Sequence, residues 1–259
     1  MYIYNIKENR AKGDYNMSIP KIIHYCWFGR GEKSDLIKQC IQSWGKLDGY
    51  IIKEWNEDNF DINSHPYVKE AYKNKKYAFV SDFVRLKVLY EEGGIYLDTD
   101  VEIKKDFSDF LTNNLFVGFM YDCLLGTAVI GSSSGNEVLL EMLNMYDKFK
   151  LEDNPNNNYF TQYFLDNFKD FRLNNKLQVL NEKITVYPKE YFERPTFKSI
   201  GGYSEHHYTG TWKRDNNKKK LLKNIIVRVI GKTAYKMITH KLALKKTPYY
   251  SIYLNHKKE

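Results

Sequence analysis

The chain is poor in cysteine, with only Cys26, Cys40 and Cys123 among its 259 residues. An odd number without paired metal-type spacing argues against a disulfide scaffold or a zinc module and suits a reducing compartment. No uninterrupted apolar run approaches the roughly 20 residues that cross a bilayer, and the N-terminus lacks an apolar signal core. The expectation is a cytoplasmic protein, neither integral to a membrane nor exported by an ordinary signal. There is no internal repeat. What the chain does have is material for a core: 42% of residues are hydrophobic and 16% aromatic, spread along the whole length, against 28% charged. Global disorder is excluded on that balance.

The net charge of +8 suggests a polyanionic partner until its distribution is read. Residues 213–259 carry 14 Lys/Arg and 2 Asp/Glu, a balance of +12, which leaves 26 basic and 30 acidic residues in 1–212, a balance of −4. The body is mildly acidic and the tail holds the excess, so nucleic acid is not the expected partner. Three segments follow: a loose extension over 1–17, a body over 18–212 and a basic tail over 213–259.

The body alternates strand and helix. Lys21 to Phe28 is a β-branched and aromatic run ending at Gly29-Arg30-Gly31, residues 34–46 show helical spacing, and Tyr50 to Trp55 reads as a second strand. A helix capped by Ser81 and closed by Gly93-Gly94 precedes the short strand Ile95-Tyr96-Leu97. Further strands are predicted at Val117–Met120, Thr127–Gly131 and Ile184–Pro188, helices at Glu137–Phe149 and Tyr159–Phe168, and an asparagine-rich loop over Asp153–Asn158. This order predicts an α/β sheet with crossover helices. In the tail, residues 218–242 repeat apolar positions with a helical period that Gly231 interrupts.

Four features carry possible chemistry. Asp98 and Asp100 follow a buried strand at the sheet edge where α/β proteins bind ligands, and carboxylates two apart on extended backbone point the same way and can share one divalent ion. An acidic turn is the commoner role for such a pair, so context decides. Asp82 and Arg85, placed on the first turn of a helix capped by Ser81, either receive an anion or simply pair with each other and the helix dipole. Trp27, beside a glycine loop, either stacks a base or belongs to the core. His206 to Trp212 is a polar aromatic cluster whose imidazoles either add a metal ligand or lie on the surface.

In their order, the strand Ile19 to Gly29, the block Ser81-Asp82-Phe83-Val84-Arg85 with Leu89 to Asp100, and His207 to Trp212 resemble the sugar transferases with an Asp-x-Asp motif in glycosyltransferase family thirty-two. These include yeast-type initiating mannosyltransferases and bacterial capsule and surface-polysaccharide enzymes, and their core is similar to that of the large clostridial glucosylating toxins. The resemblance spans residues 18–212 and implies a GT-A type, Rossmann-like mixed sheet flanked by helices. It also implies a nucleotide-sugar donor, most simply a UDP-sugar, an Mn²⁺ or Mg²⁺ ion, and retention of anomeric configuration. Carried over, Trp27 stacks on the base, Asp82 touches ribose or donor sugar, and Arg85 holds sugar or phosphate. Asp98 and Asp100 hold the ion and the ribose side of the diphosphate, and His207, Thr211 and Trp212 close over the metal or diphosphate, with His207 as a third ligand. The family commonly has Trp where this chain has Tyr208 and Ser where it has Thr211; Thr211 keeps the hydroxyl, while the pocket rim differs.

The implied activity is retaining, metal-dependent transfer of a hexose or N-acetylhexosamine to a glycan or lipid-linked oligosaccharide in surface-polysaccharide synthesis. The alternative is a toxin-like protein-glycosylating enzyme or a nucleotide-sugar hydrolase. The amphipathic basic tail is expected either to hold the enzyme on the inner, anionic face of a membrane or to pack on the body with its lysines in water.

Overall fold

The computed structural model describes residues 18–151, 156–193, 202–209 and 225–258. The seven-stranded sheet runs in the order β2-β1-β3-β6-β5-β8-β7, with strands β1 (Ile22–Cys26), β2 (Ile51–Trp55), β3 (Gly94–Leu97), β5 (Leu115–Tyr121), β6 (Leu124–Ser132), β7 (Gln178–Leu180) and β8 (Ile184–Tyr187). β1 is parallel to β2 and β3, β6 runs antiparallel to β3 and β5, and β5 is parallel to β8, so the sheet is mixed. Helices flank it: α1 (Asp35–Ser43), α2 (Pro66–Lys73), α3 (Tyr77–Glu92), α4 (Glu137–Met145), α5 (Asn156–Asn167) and the short α6 (Lys189–Phe192). This is the mixed, helix-flanked α/β sheet that the sequence predicted. A separate ribbon pairs β4 (Val101–Ile103) with β9 (Ser204–His206).

Alternation of side chains along each strand builds two cores. Tyr96, Val117 and Ile130 face α2 to α5, whereas Ile95, Leu97, Phe116 and Val129 face a second cluster that holds Trp44, Phe107, Phe110 and Phe192. Phe110 makes edge or tilted ring contacts with Phe107, Phe116, Tyr187, Phe192 and Tyr203. Trp44 Nε1 donates to Val101 O at 2.9 Å and Ile103 N donates to Ser43 Oγ at 2.8 Å, so α1 carries the β4–β9 ribbon.

Helix α3 positions the site. Seven of its side chains are buried, among them Val80, Phe83, Val84, Leu86 and the charged Arg85, because it packs against β1, α2 and α4. It starts at Tyr77, four residues before Ser81, whose hydroxyl instead bonds back to Tyr77 O at 3.1 Å. Asp82 and Arg85 therefore lie in the second and third turns, away from the free N–H groups of the helix start. The apolar residues Phe79 and Val80 extend the helical pattern toward the N-terminus and outweigh the capping tendency of Ser81. At the other end, φ is +68° at Gly93 and +108° at Gly94, and a Cβ at Gly94 would lie 2.7 Å from Ile22 O. Only glycine lets the chain reverse there into β3 against β1.

Other departures are local. Helix α5 begins at Asn156, inside the stretch predicted as a loop, and the short pieces β4, β7, β9, α2 and α6 were not anticipated. In the tail, residues 225–230 are helical, Gly231 breaks the path at φ +82°, and the helix Lys232–Leu244 and a final helix Tyr250–His256 follow. Thr247 Oγ1 meets Cys123 Sγ at 2.8 Å, Tyr249 O–H donates to Asn158 O at 2.7 Å, and Leu173 N donates to His256 Nδ1 at 3.0 Å, so this segment is attached to the body. The extension 1–17 and the boundary drawn at 212/213 lie outside the described residues.

Candidate active site

Asp98 stands one residue beyond the end of β3, and Trp27 one residue beyond the end of its parallel neighbour β1, so both occupy the carboxyl edge of the sheet. Asp98 N donates to Ala128 O at 2.8 Å, and Val101 N donates back to Asp98 O at 3.0 Å. That turn, rather than an extended strand, brings the carboxylates of Asp98 and Asp100 together. They are joined by His206: one ligand atom from each of the three lies within 4.8 Å of the others.

Each member is held by a different part of the chain. Arg85 Nη2 lies 3.0 Å from Asp82 Oδ1 and 3.3 Å from Asp98 Oδ1, while Nη1 donates to Thr127 O at 2.6 Å and Nε to Ser81 O at 3.2 Å. The guanidinium also lies 4.6 Å from the Tyr96 ring centroid. Burial disfavours its charge, but Asp98, Tyr96 and Asp82 overcome this and raise its pKa. Asp82 is pushed up to about 6 because burial outweighs the nearby Arg85, with Asp98 adding to the rise. Asp98 is likewise raised, chiefly by burial and against Arg85.

Asp100 moves the other way. Burial pushes it up, but His206 and the N–H and hydroxyl of Thr209, at 2.7 and 2.9 Å from Oδ2, hold it well below the usual carboxylate range. His206 Nε2 is 3.1 Å from Asp100 Oδ1, and Nδ1 is 2.8 Å from Oε2 of Glu193. Burial lowers the imidazole pKa, yet Glu193 and Asp100 together raise it to about 10. Glu193 is 2% exposed and also accepts from the Tyr208 hydroxyl at 2.6 Å. It approaches β6 so closely that a Cβ at Gly126 would fall 2.4 Å from its Oε1.

His207 was expected beside Asp98 and Asp100, but its side chain goes elsewhere. Its Nε2 lies 2.9 Å from Glu102 Oε2, within a second cluster of Glu102, Glu205 and His207. The reason is the period of two: consecutive side chains at the end of β9 leave on opposite sides. His207 still touches the first cluster through its backbone, with N donating to Asp100 O at 3.0 Å. Thr211 and Trp212 lie outside the described residues. Trp27 is half-buried; its Nε1 donates to Gly31 O at 2.7 Å, Lys33 Nζ sits 5.2 Å from its ring centroid, and it lines a cleft with Arg30, Glu54, Asn56 and Asp58.

Of the residues singled out in the sequence, the fold thus brings together Asp82, Arg85, Asp98 and Asp100. It adds His206 and Thr209, which the sequence offered only as part of a cluster without an individual role, and Glu193, which it did not offer. The first two sit inside the quoted His206–Trp212 motif, where the phase of the strand decides which histidine points inward. Glu193 has no local signal; it reaches the site only through folding.

Two carboxylates and one imidazole are a donor set suited to a divalent ion with open positions for phosphate oxygens. The adjacent guanidinium is shaped for sugar hydroxyls or phosphate, and an aromatic face is available on the same edge.

Residues 34–117 match the family model for the glycosyltransferase sugar-binding region containing the DXD motif. An uncharacterized glycosyltransferase of Acanthamoeba polyphaga mimivirus is 30% identical over 175 residues, covering 61% of this chain and 67% of that protein. Inositol phosphoceramide mannosyltransferase 3 of Schizosaccharomyces pombe is 26% identical over 153 residues, covering 58% of this chain and 42% of the yeast protein. Among solved structures, the PaToxG glycosyltransferase has 22% identity and a TM-score of 0.48, covering 57% of this chain and 69% of that one.

Proposed function

The chain belongs to the glycosyltransferases whose sugar-binding region contains the DXD motif, and from that premise we infer that it moves a hexose or N-acetylhexosamine from a UDP-sugar to a glycan or lipid-linked glycan acceptor, with retention and with Mn²⁺ or Mg²⁺. The observation that carries this reading is the convergence of Asp98, Asp100 and His206 beside the Asp82–Arg85 pair at the carboxyl edge of the sheet. The nitrogen donor of His206 favours Mn²⁺ over the harder Mg²⁺.

The chemical task is to break the bond between the anomeric carbon and the diphosphate oxygen, form one to an acceptor oxygen, and pass the acceptor proton to a phosphate oxygen. Negative charge builds on the leaving diphosphate, and a divalent ion held there supplies Lewis-acid stabilisation of that charge. Asp98, Asp100 and His206 would hold the ion, and Glu193 and Thr209 fix two of these three side chains in advance. Arg85 presents a fixed cation to the sugar or diphosphate because four acceptors and the Tyr96 ring leave it no alternative position. Asp82, with its pKa near 6, suits hydrogen bonding to ribose or sugar hydroxyls. Trp27 would stack on the base. These carboxylates serve the leaving group and do not flank the scissile bond as in a glycoside hydrolase.

A panel of UDP- and GDP-sugars, with nucleotide diphosphate release as readout, tests the reading. Release from a UDP-sugar that depends on Mn²⁺ and stops with a chelator is expected; full turnover in the chelator, or GDP-sugars alone as donors, would contradict it.

A further inference from the structure

The C-terminal helices carry none of the residues placed in the candidate site, yet their surface is unusual. In the helix Lys232–Leu244 one side is committed to the body: His240 and Leu244 are buried, and Tyr249 is buried just beyond them. With that side fixed, the helical period sends Ile238 and Leu242 outward, and they are 51% and 61% exposed; Met237, one turn before His240, lies nearer the body and is still 49% exposed. Across the break at Gly231, Ile225 and Val229 add apolar surface at 53% and 79% exposure. Lys241 and Lys245 adjoin Ile238 and Leu242 on the helix surface, and Arg228 and Lys246 are exposed nearby. Packing on the body thus accounts for one side of the segment and leaves an apolar stripe set among bases on the other.

A stripe of this kind in water is a liability unless something receives it. The charge says what: residues 213–259 carry a balance of +12, so the complementary partner is anionic, and the exposed Met, Ile, Val and Leu side chains require it to have an apolar interior as well. Among the described residues no helix is long and apolar enough to cross a membrane, so the segment would lie on a surface rather than span it. Its position matters. The His240 ring lies tilted against the Tyr121 ring, with centroids 5.0 Å apart, and its Nε2 lies 3.7 Å from Asp122 Oδ2, at the hairpin where β5 ends. β5 and β3 are both antiparallel to β6, so this hairpin and Asp98 lie on the same edge of the sheet.

We propose that the exposed face of residues 225–246 docks on an anionic lipid bilayer. Ile225, Val229, Met237, Ile238 and Leu242 enter the boundary between headgroups and acyl chains, and Arg228, Lys241, Lys245 and Lys246 meet lipid phosphates with their stems along the apolar surface. Docking there turns the carboxyl edge of the sheet, with the donor site, toward acceptors held at the membrane. This surface is independent of the transfer reaction inferred above, and its test uses a different readout.

The test is sedimentation of the full chain with phosphatidylcholine vesicles, with and without phosphatidylglycerol. Two triple variants are compared: Met237→Glu/Ile238→Glu/Leu242→Glu and Lys241→Glu/Lys245→Glu/Lys246→Glu. All six positions are exposed, and unchanged turnover of donor with a soluble acceptor confirms that each variant is folded. The wild type should bind only the phosphatidylglycerol vesicles, and each variant should lower partitioning by about tenfold or more. Three results would overturn the proposal. The first is partitioning unchanged in both variants, and the second is loss in the charge variant alone, which marks a polyanion site. The third is a wild-type dimer that the apolar variant dissociates without altering vesicle binding, which makes a second copy of the chain the occupant.

Discussion

Two clusters in this molecule have the same kind of donors, two carboxylates and one imidazole: Asp98, Asp100 and His206 in one, Glu102, Glu205 and His207 in the other. They arise from neighbouring residues of the same β4–β9 ribbon, where Val101 faces His206 and Glu102 faces Glu205. The first sits at the carboxyl edge of the main sheet, beside Arg85 and the edge that carries Trp27, and its histidine is backed by the buried Glu193. In the second, Glu102 is paired with Lys104 and with His207, and its carboxyl is lowered by these partners against the effect of burial. The donor set alone does not make a transfer site. Position on the sheet, a neighbouring guanidinium and a second residue behind the imidazole distinguish one cluster from its neighbour.

Changes in the first cluster should be large. Asp100→Ala should reduce turnover by about 10³-fold, the upper range for losing a group that stabilises transition-state charge, while circular dichroism shows a folded protein. Near-normal turnover under Mn²⁺ would sink the metal-holding role. Arg85→Ala leaves Asp82 and Asp98 without their buried partner and should destabilise the fold by about 3–5 kcal/mol, seen as a lowered urea midpoint.

Glu193→Gln should cost about 10–100-fold in Mn²⁺ affinity, because the group orienting a ligand imidazole loses its charge. Affinity equal to wild type would show that His206 needs no such support. A further effect is read in the metal-free protein. His206 has a pKa of about 10 when folded against an ordinary value of 6.5, since Glu193 and Asp100 overcome burial. Its stabilising contribution is therefore complete below pH 6.5 and fades as pH rises toward 10. The Tm should fall over that range, and the fall should be shallower in Glu193→Gln; equal slopes would remove Glu193 from the account. At the smallest end, His207→Ala, in the second cluster, should leave turnover within about twofold and stability within about 0.5 kcal/mol.

Much of the main sheet was legible because its signals are strong: Lys21 to Phe28 is rich in β-branched and aromatic residues, with His24 as the one polar residue inside the run, and Gly93-Gly94 marks the end of α3. The pieces that were missed, β4, β7 and β9, have three residues each, too few for a period to show. The start of α3 was misjudged because capping preference is local, whereas Phe79 and Val80 pack against the rest of the body. At the site, Asp98 and Asp100 were legible because they abut a buried strand. The choice between His206 and His207 was not, since it depends on the phase of a three-residue strand set by pairing with β4. Glu193 was out of reach for a simpler reason: its partners His206 and Tyr208 are 13 and 15 residues away, and nothing in Tyr191-Phe192-Glu193 announces them.

The central claim is that the Asp98–Asp100–His206 cluster holds the ion that transfer requires. Direct titration of Mn²⁺ into wild type, His206→Ala and His207→Ala, followed by calorimetry or by the electron paramagnetic resonance of free Mn²⁺, tests it most plainly. Affinity should fall by about tenfold or more in His206→Ala and stay unchanged in His207→Ala. The reverse order, with His207→Ala weakened and His206→Ala intact, would contradict it.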